Sequence, residues 1–429
     1  MMRYVIIGNS AAAVGAIEAI RERDHDNPIT VVADESYHVY SRPLISYLLG
    51  KIVNDGQMYY RPPDFYERHA VEPMLGVEVV EVRPQDQTVV LEGGDTLSYD
   101  RLLIATGGRP FVPPVPGSDL EGIFTFTRWQ DARRIERYIE KYDVKSALVV
   151  GAGLIGLKTT EALMARSIKV TLVELADRVL SVSFDRTASK LAETILLREG
   201  TEIKTNTSVQ EIIGQDGRVD HAILRNGEKV HCDMLVFAIG VRPNTDLVPK
   251  GAGIEINRGI VVDRYMRTTA PQVFAAGDCV ETHDVLLEIP RPIAIWPNAY
   301  RQGYVAGSNM AGNEKIYPGG FPMNSVEVCG VPTISVGLTD PQENHDLYEI
   351  LEYSDRNALI YKKLVLRGNR LVGSICVGNI DRAGIYTGLI RDQVDISAFK
   401  NHLLSGSFGL ISLPRDHRKH LVVGEGIEV

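Results

Sequence analysis

Long uncharged apolar runs are missing from this sequence. The longest run near the start, residues 4–17, is interrupted by Gly8 and Gly15 and stops at Glu18, whereas a membrane-spanning helix needs roughly 18 apolar residues in succession. The same stretch lacks the basic region and the cleavage site of a signal peptide. We therefore expect a cytoplasmic protein that does not associate with a membrane.

An excess of positive charge is missing as well. Lys and Arg total 46 against 55 Asp and Glu, so the formal net charge is −9 and the isoelectric point lies near 5.7. A nucleic acid or an anionic membrane surface would call for a basic patch. The charge balance therefore predicts no nucleic-acid partner.

Cysteine is scarce. The four residues, Cys232, Cys279, Cys329 and Cys376, include no pair at CxxC or CxxxxC spacing. This pattern predicts neither a metal site nor a local redox disulfide. We expect reduced thiols that are mostly buried.

What the sequence does contain is an internal repeat. Residues 3–35 and residues 147–174 each read as an apolar strand, a loop of small residues, a helical stretch and a second strand that ends in acid. Each half continues through short alternating strands and closes with a matching segment, at residues 101–107 and 234–240. A unit repeated in this order predicts two dinucleotide-binding domains.

The loop of small residues is where a pyrophosphate would bind. Free N–H groups and the dipole at a helix N-terminus favour negative charge, and a large side chain would block the approach. The second copy has the full Gly-x-Gly-x-x-Gly pattern at residues 151–156, whereas the first reads Gly-x-Ser-x-x-Ala at residues 8–13. Both loops leave room for a phosphate.

The acidic residue after the second strand is expected to bind a ribose hydroxyl. In the first copy this residue is either Asp34 or Glu35, and spacing alone does not decide between them. In the second copy Glu174 should repel a 2′-phosphate, which favours NADH over NADPH. Arg178, four residues further on, works against that preference.

Four further segments carry a resemblance to a known family. They are Tyr-Ser-Arg-Pro-Leu-Ile-Ser at 40–46, Val-Phe-Ala-Ala-Gly-Asp at 273–278, Ile-Trp-Pro-Asn-Ala-Tyr-Arg-Gln-Gly at 295–303, and residues 364–375. Over essentially its whole length the chain resembles the two-dinucleotide flavin reductases of the pyridine nucleotide–disulfide oxidoreductase superfamily. Within it the chain is most similar to the branch of NADH:rubredoxin reductases and the NADH-oxidising part of assimilatory nitrite reductases.

The resemblance implies an α/β fold with two Rossmann-like domains and a C-terminal α+β domain. It places FAD in a domain of residues 1–111 and 245–322, NAD in residues 112–244, and an interface-type domain in residues 323–429. The last domain would either cover the flavin or support a homodimer.

With the fingerprints, the resemblance also assigns the cofactor contacts. The residues expected at FAD are Gly8, Ser10, Ala11, Ala12, Ala13, Asp34, Glu35, Arg42, Pro43, Ala105, Thr106, Gly107, Gly277, Asp278, Trp296 and Ala299. Those expected at NAD are Gly151, Gly153, Leu154, Ile155, Gly156, Glu174, Ala238, Ile239 and Gly240. No residue is assigned a catalytic role, because the flavin carries the chemistry.

Departures from the family pattern bear on the reaction. Disulfide-reducing relatives carry CxxxxC after the first helix, or one cysteine in the stretch that spans residues 39–47 here, and this chain has neither. Electrons should therefore leave the flavin directly. Tyr47 stands where relatives often place a lysine, and Lys158 where many have an acid; Lys158 could contact cofactor phosphate or pair with Glu161 on its own helix.

These features favour an NADH-dependent reductase whose acceptor is a small redox protein such as rubredoxin or ferredoxin. One alternative is an NADH oxidase that reduces oxygen. Another is a non-catalytic redox sensor that binds FAD and NAD as ligands. A further variant is a subunit of a larger reductase, whose metal centres would lie on another polypeptide.

Overall fold

The computed structural model describes residues 1–342 and 345–414. Its helices are α1 (Ala11–Arg21), α2 (Ile45–Leu49), α3 (Phe65–Arg68), α4 (Trp129–Tyr142), α5 (Leu154–Met164), α6 (Arg186–Arg198), α7 (Trp296–Met310) and α8 (Ala383–Asp392). Single 3₁₀ turns lie at Arg42–Leu44, Asp55–Gln57, His345–Leu347, Lys400–His402 and Leu410–Ser412.

The strands run in chain order through both repeats and the C-terminal part. They are β1 (Tyr4–Ile7), β2 (Ile29–Ala33), β3 (Val71–Leu75), β4 (Val79–Arg83), β5 (Thr88–Leu91), β6 (Thr96–Ser98), β7 (Arg101–Ile104), β8 (Gly108–Pro110), β9 (Ile123–Thr125), β10 (Ser146–Val150), β11 (Lys169–Val173), β12 (Glu202–Lys204), β13 (Val209–Gln215), β14 (Arg218–Leu224), β15 (Lys229–His231), β16 (Met234–Phe237), β17 (Val241–Pro243), β18 (Ile260–Val261), β19 (Val273–Ala275), β20 (Val280–Asp284), β21 (Ile289–Arg291), β22 (Met323–Val328), β23 (Val331–Gly337), β24 (Tyr348–Asp355), β25 (Ile360–Arg367) and β26 (Arg370–Val377).

The described residues form two compact units. The first comprises residues 1–176 and 200–321, and the second comprises residues 177–199 together with residues 322–342 and 345–414. Residues 177–199, which the sequence analysis placed in the NAD domain, thus group with the C-terminal part. The predicted boundaries near residues 112 and 245 fall inside the first unit and stay predictions.

Two parallel sheets form the centre of the first unit. One has the strand order β19-β7-β1-β2-β3 and the other β12-β11-β10-β16-β9, and all neighbours in both sheets pair in parallel. The central strands β1 and β10 are apolar and almost fully buried, as expected of parallel strands covered on both faces. The predicted α/β class with two Rossmann-like folds is confirmed.

The chain crosses between the two parallel folds twice, and a short antiparallel ribbon joins the two crossing segments. Strand β8 follows the closing segment of the first repeat, β17 follows that of the second, and Arg109 pairs with Arg242 across them. The backbone N–H of Asn244 also donates to the carbonyl of Gly107 at 2.9 Å. Each crossing segment is therefore hydrogen-bonded to the other.

Helices α1 and α7 pack backbone against backbone. A Cβ atom on Gly303 would lie 1.9 Å from the carbonyl oxygen of Ala12, and one on Gly307 would lie 2.4 Å from that of Ala16. Only a glycine fits such an approach without movement of the partner helix. The close crossing fixes the start of α7 relative to the start of α1.

The second unit is built on an antiparallel sheet with the order β22-β23-β26-β25-β24. Helix α6 belongs to this unit through its N-cap residue, Asp185, whose carboxylate accepts a hydrogen bond from Tyr361 Oη at 2.7 Å. Lys363 Nζ lies 3.0 Å from the same carboxylate. All three side chains are buried, so the group is a buried cluster of paired polar side chains.

Among the described residues, none of the helices combines the length and the apolar character needed to cross a bilayer.

Candidate functional site

A cleft of about 590 Å³ opens in the first unit, beside the carboxyl ends of β1, β2 and β7. Parallel strands bring the loops that follow them to one edge of the sheet, which is where α/β folds place ligands. Every residue predicted at FAD lines this cleft except Ala13. Ala13 is fully buried on α1 and belongs to the apolar core.

Gly8 forms the floor of the cleft at the start of α1. Its φ is +109°, and a Cβ atom there would lie 2.1 Å from the carbonyl oxygen of Ala105. Ser10 is the N-cap residue but makes no side-chain cap hydrogen bond, so the first-turn N–H groups of α1 have no partner within the helix. Small side chains and free donors at a helix N-terminus fit a diphosphate.

The acidic residues after β2 both line the cleft but differ in their surroundings. The Glu35 carboxylate is buried and accepts hydrogen bonds from Tyr40 Oη at 2.9 Å and from Arg42 at 2.8 Å. The Asp34 carboxylate is half-exposed and pairs with Arg128 at 2.6 Å. Both remain candidates for the ribose ligand.

Asp278 also lines the cleft and follows β19. Burial raises the pKa of its carboxyl, and the positive charge of Arg42 partly opposes that shift. Arg42 also donates to the carbonyl of Thr127 at 3.2 Å. A cation and an acid thus face the same cavity from two elements.

Helix α7 presents its first turn to the cleft through Trp296 and Ala299. Its positive dipole end can stabilise negative charge on a bound ligand. Asn244 Oδ1, on another wall, is buried and has no hydrogen-bond partner among the described residues. A buried polar atom without a partner is rare in folded proteins, so it fits a cleft built for a polar cofactor such as FAD.

The second parallel fold has the same arrangement at the first glycine of its loop. Gly151 has a φ of +104°, and a Cβ atom on it would lie 2.6 Å from the carbonyl oxygen of Ala238. The residues predicted at NAD gather at the ends of three adjacent strands, β10, β11 and β16. Of these residues Ile155 also lines the large cleft.

Glu174 directly follows β11 and is hydrogen-bonded to this loop. Its carboxylate accepts hydrogen bonds from the backbone N–H of Ala152 at 2.6 Å and of Ala176 at 2.8 Å. The negative charge of Glu174 therefore lies at the Gly-x-Gly-x-x-Gly loop. Arg178 is paired within the second unit, with Asp177 at 2.9 Å and Asp340 at 3.1 Å.

Lys158 and Tyr47, the two departures from the family pattern, contact each other. Lys158 Nζ lies 5.5 Å from the centroid of the Tyr47 ring. The predicted pair with Glu161 on the same helix is present, at 2.5 Å. The ammonium group is thus held over an aromatic face next to a carboxylate.

Several residues that line the cleft were not predicted from the sequence. Arg128 pairs with Asp34 from 94 positions away, and Tyr37, which stacks on Trp129 with ring centroids 4.6 Å apart, lines it too. Asn244 follows β17 rather than a fingerprint. Only pairing between distant segments brings these residues together, so no local motif marks them.

All four cysteines lie in the described part of the chain, and none of them lines the cleft. Burial raises the pKa of Cys279 and of Cys376 to about 11, and that of Cys232 to about 12. The Cys279 thiol donates to the carbonyl of Ala276 at 3.3 Å. These three thiols are therefore protonated at neutral pH and poorly nucleophilic.

Two family models match the chain. The pyridine nucleotide-disulphide oxidoreductase model covers residues 2–303, and the rubredoxin NAD+ reductase C-terminal domain covers residues 322–394. The chain belongs to the pyridine nucleotide-disulphide oxidoreductase family, whose members are NAD(P)H-dependent flavoprotein oxidoreductases that use FAD. The resemblance drawn from the sequence is confirmed.

Individual relatives vary in length and role. The chain is 31% identical over 397 residues to a nitrite reductase [NAD(P)H] of Bacillus subtilis (strain 168). This match covers 92% of the chain but 48% of the relative. It is 30% identical over 405 residues to the epsilon subunit of the NADH-dependent phenylglyoxylate dehydrogenase of Aromatoleum evansii, covering 94% of both. The chain spans about half the length of the first curated relatives that it matches.

A solved structure agrees in fold over nearly the whole described chain. It is a putidaredoxin reductase in covalent complex with putidaredoxin, with a TM-score of 0.83 and 25% identity, and the match covers 92% of this chain and 94% of that one.

Proposed function

We propose that this chain is an NADH-dependent flavoprotein reductase that passes electrons through FAD to a small redox protein such as rubredoxin or ferredoxin, without a redox-active disulfide. Bound FAD would supply the hydride acceptance and the onward electron transfer. The residues of the chain bind and orient the two dinucleotides and place charge around them.

One observation carries the proposal. The cleft is bounded by two helix N-termini, those of α1 and α7, and by Arg42, while all four cysteines of the described chain lie outside its lining. Positive potential at both helix ends suits a pyrophosphate and the negative charge of a reduced cofactor. The raised thiol pKa values argue against a sulfur relay.

The preference for NADH rests on the charges after β11. Glu174 presents a carboxylate at the phosphate-binding loop, where a 2′-phosphate would meet like charge. Arg178, the cation that could have offset it, is engaged by Asp177 and Asp340. Both acids would have to be removed to free its guanidinium.

A reductive titration tests the absence of a disulfide. Dithionite added without oxygen should reduce the FAD-loaded protein with two electrons per flavin, because only the flavin accepts them. Uptake of four electrons per flavin would show that a disulfide exchanges electrons with the cofactor, and would end this part of the proposal.

Acceptor assays test the rest. Anaerobic NADH should bleach the flavin faster than NADPH at equal concentration, and the reduced protein should reoxidise slowly in air but rapidly with rubredoxin or ferredoxin. Full turnover with oxygen would instead identify an NADH oxidase. A reduced form that persists with every acceptor, generic dyes included, would identify a redox sensor.

A second candidate is an electron-transfer subunit of a larger reductase. The match to the phenylglyoxylate dehydrogenase epsilon subunit over 94% of both chains favours it. In that case NADH-reduced protein should pass electrons to dyes but to none of rubredoxin, ferredoxin and oxygen. Turnover with a free carrier protein would argue against a subunit role.

A further inference from the structure

A cluster of two histidines and an aspartate lies on the three-stranded sheet β13-β14-β15 of the first unit, outside the cleft lining among the described residues. One ligand atom from each of Asp220, His221 and His231 falls within 4.8 Å of the other two. Asp220 Oδ2 lies 2.6 Å from His221 Nδ1 and 4.0 Å from His231 Nδ1.

The two histidines face each other across neighbouring strands. His221 of β14 pairs with His231 of β15. The next pair along the ladder, Asp220 and Cys232, is hydrogen-bonded: the N–H of Cys232 donates to the carbonyl of Asp220 at 3.1 Å. Hydrogen-bonded and non-bonded pairs alternate along an antiparallel ladder. The histidines therefore occupy a non-bonded pair, where side chains approach most closely, and their ring centroids are 5.4 Å apart.

A β-bulge brings the carboxylate to the same side. Along β13 the pairing passes from Ile213 with His221 to Gly214 with Val219, so Asp220 is the extra residue on β14. Neighbours on a regular strand point to opposite faces, whereas a bulge redirects a side chain. The bulge explains how consecutive residues, Asp220 and His221, reach one point.

We propose that Asp220, His221 and His231 form a binding site for a divalent transition-metal ion such as Zn²⁺. Two imidazole nitrogens and one carboxylate oxygen are a common donor set for such ions and leave one position open to water. Ligand atoms around a tetrahedral zinc lie about 3.3 Å apart, given bonds of about 2.0 Å. The His231 side chain, 67% exposed, has the freedom to rotate into that geometry.

The ion would tie β14 to β15 at the edge of the sheet. The histidines are ten residues apart in the chain, and no zinc-binding spacing marks them. The cysteine pattern predicted no metal site, and only the strand register brings these three residues together.

Zinc titration of the full-length, FAD-loaded protein tests the proposal, with any affinity tag removed and the protein first treated with a chelator. Calorimetry should show one Zn²⁺ per chain in the wild type. His231→Ala should weaken that binding by at least about tenfold, since even groups behind the ligands change affinity by 10- to 100-fold. Because the His231 side chain is largely exposed, this variant should keep its fold and FAD content.

Two further variants complete the test. Asp220→Asn, which preserves size, should also weaken zinc binding, whereas His25→Ala, an exposed histidine elsewhere in the unit, should leave it unchanged. If the wild type binds no zinc, or binds it as the double variant His231→Ala with Asp220→Asn does, the site does not exist. Equal loss in His25→Ala would overturn it as well.

Discussion

At the scale of single residues, the first glycine of each repeated loop has the same structural role. Gly8 and Gly151 both adopt a positive φ, and each abuts the carbonyl of an alanine in its closing segment, Ala105 or Ala238. Both positions were predictable because a sequence motif marks them. Arg128 was not predictable, since no motif marks it and its contact with Asp34 spans 94 residues.

Gly8→Ala should abolish FAD binding. The new methyl would meet the Ala105 carbonyl at 2.1 Å, besides the cost of about 1–2 kcal/mol that a positive φ imposes on alanine. Flavin absorbance per protein and the melting temperature measure the effect. Gly94→Ala is the matched control, because its φ is +96° with nothing within 4 Å; it should lose some stability and keep its flavin. Equal flavin loss in both would disprove the steric role.

Glu174→Gln should shift the coenzyme preference. The change keeps the size of the side chain but removes the charge beside the phosphate-binding loop, so the NADPH to NADH ratio of kcat/KM should rise roughly tenfold. Steady-state rates with a dye acceptor measure it. Glu202→Gln, on an exposed residue of β12, should leave the ratio unchanged, and an unchanged ratio in Glu174→Gln would contradict the charge argument.

At the scale of elements, small residues obscure where a helix begins. Helix α1 begins at Ala11, inside the loop of small residues at positions 8–13. Three alanines in succession carry no apolar periodicity, yet alanine is the best helix former, and the helix extends through them to the N-cap Ser10. The strands that precede an acidic residue, β2 and β11, were easier to predict, because burial on both faces requires a continuous apolar run.

The turn between α1 and β2 offers a test through pH. The Asp24 carboxylate accepts hydrogen bonds from Asn27 Nδ2 at 2.8 Å, from Asn27 N at 3.0 Å and from Tyr4 Oη at 2.8 Å. Although burial opposes the shift, these bonds lower the pKa of Asp24 from 3.8 to about 2. Its stabilisation is thus present above pH 3.8 and is lost as the pH falls toward 2.

Asp24→Asn should therefore lower the free energy of unfolding at pH 7 by about 1 kcal/mol, after allowance for solvent screening. The difference from wild type should shrink as the pH falls below 4. Urea unfolding at pH 7 and pH 3 measures both values. Asp26→Asn, on an exposed neighbour, should change the free energy of unfolding at neither pH. A difference between Asp24→Asn and the wild type that grows in acid would contradict the lowered pKa of Asp24.

At the scale of the whole molecule, the division into units was the least predictable property. The order of motifs placed residues 112–244 together, but residues 177–199 group with the C-terminal unit. One contact between these segments is the hydrogen bond from Tyr361 to Asp185, which spans 176 positions. A polar side chain that becomes buried through such a distant partner looks like any capping residue in the sequence.

Tyr361→Phe should loosen helix α6. The loss of the hydroxyl leaves the buried Asp185 carboxylate short of a donor, which costs about 1–3 kcal/mol. Hydrogen–deuterium exchange should become faster in residues 186–198, while the flavin content stays the same. Tyr353→Phe, on a half-exposed tyrosine of β24, should change neither; slow exchange of α6 in Tyr361→Phe would show that the contact is dispensable.

The ribbon of β8 and β17 makes the connection between the parallel folds redundant. The chain passes between them twice, and each passage is hydrogen-bonded to the other. A single backbone break near residue 113, just beyond β8, would therefore leave the two folds tethered through the surviving strand. Proteolytic nicking there should yield fragments that copurify under native conditions and separate only in denaturant.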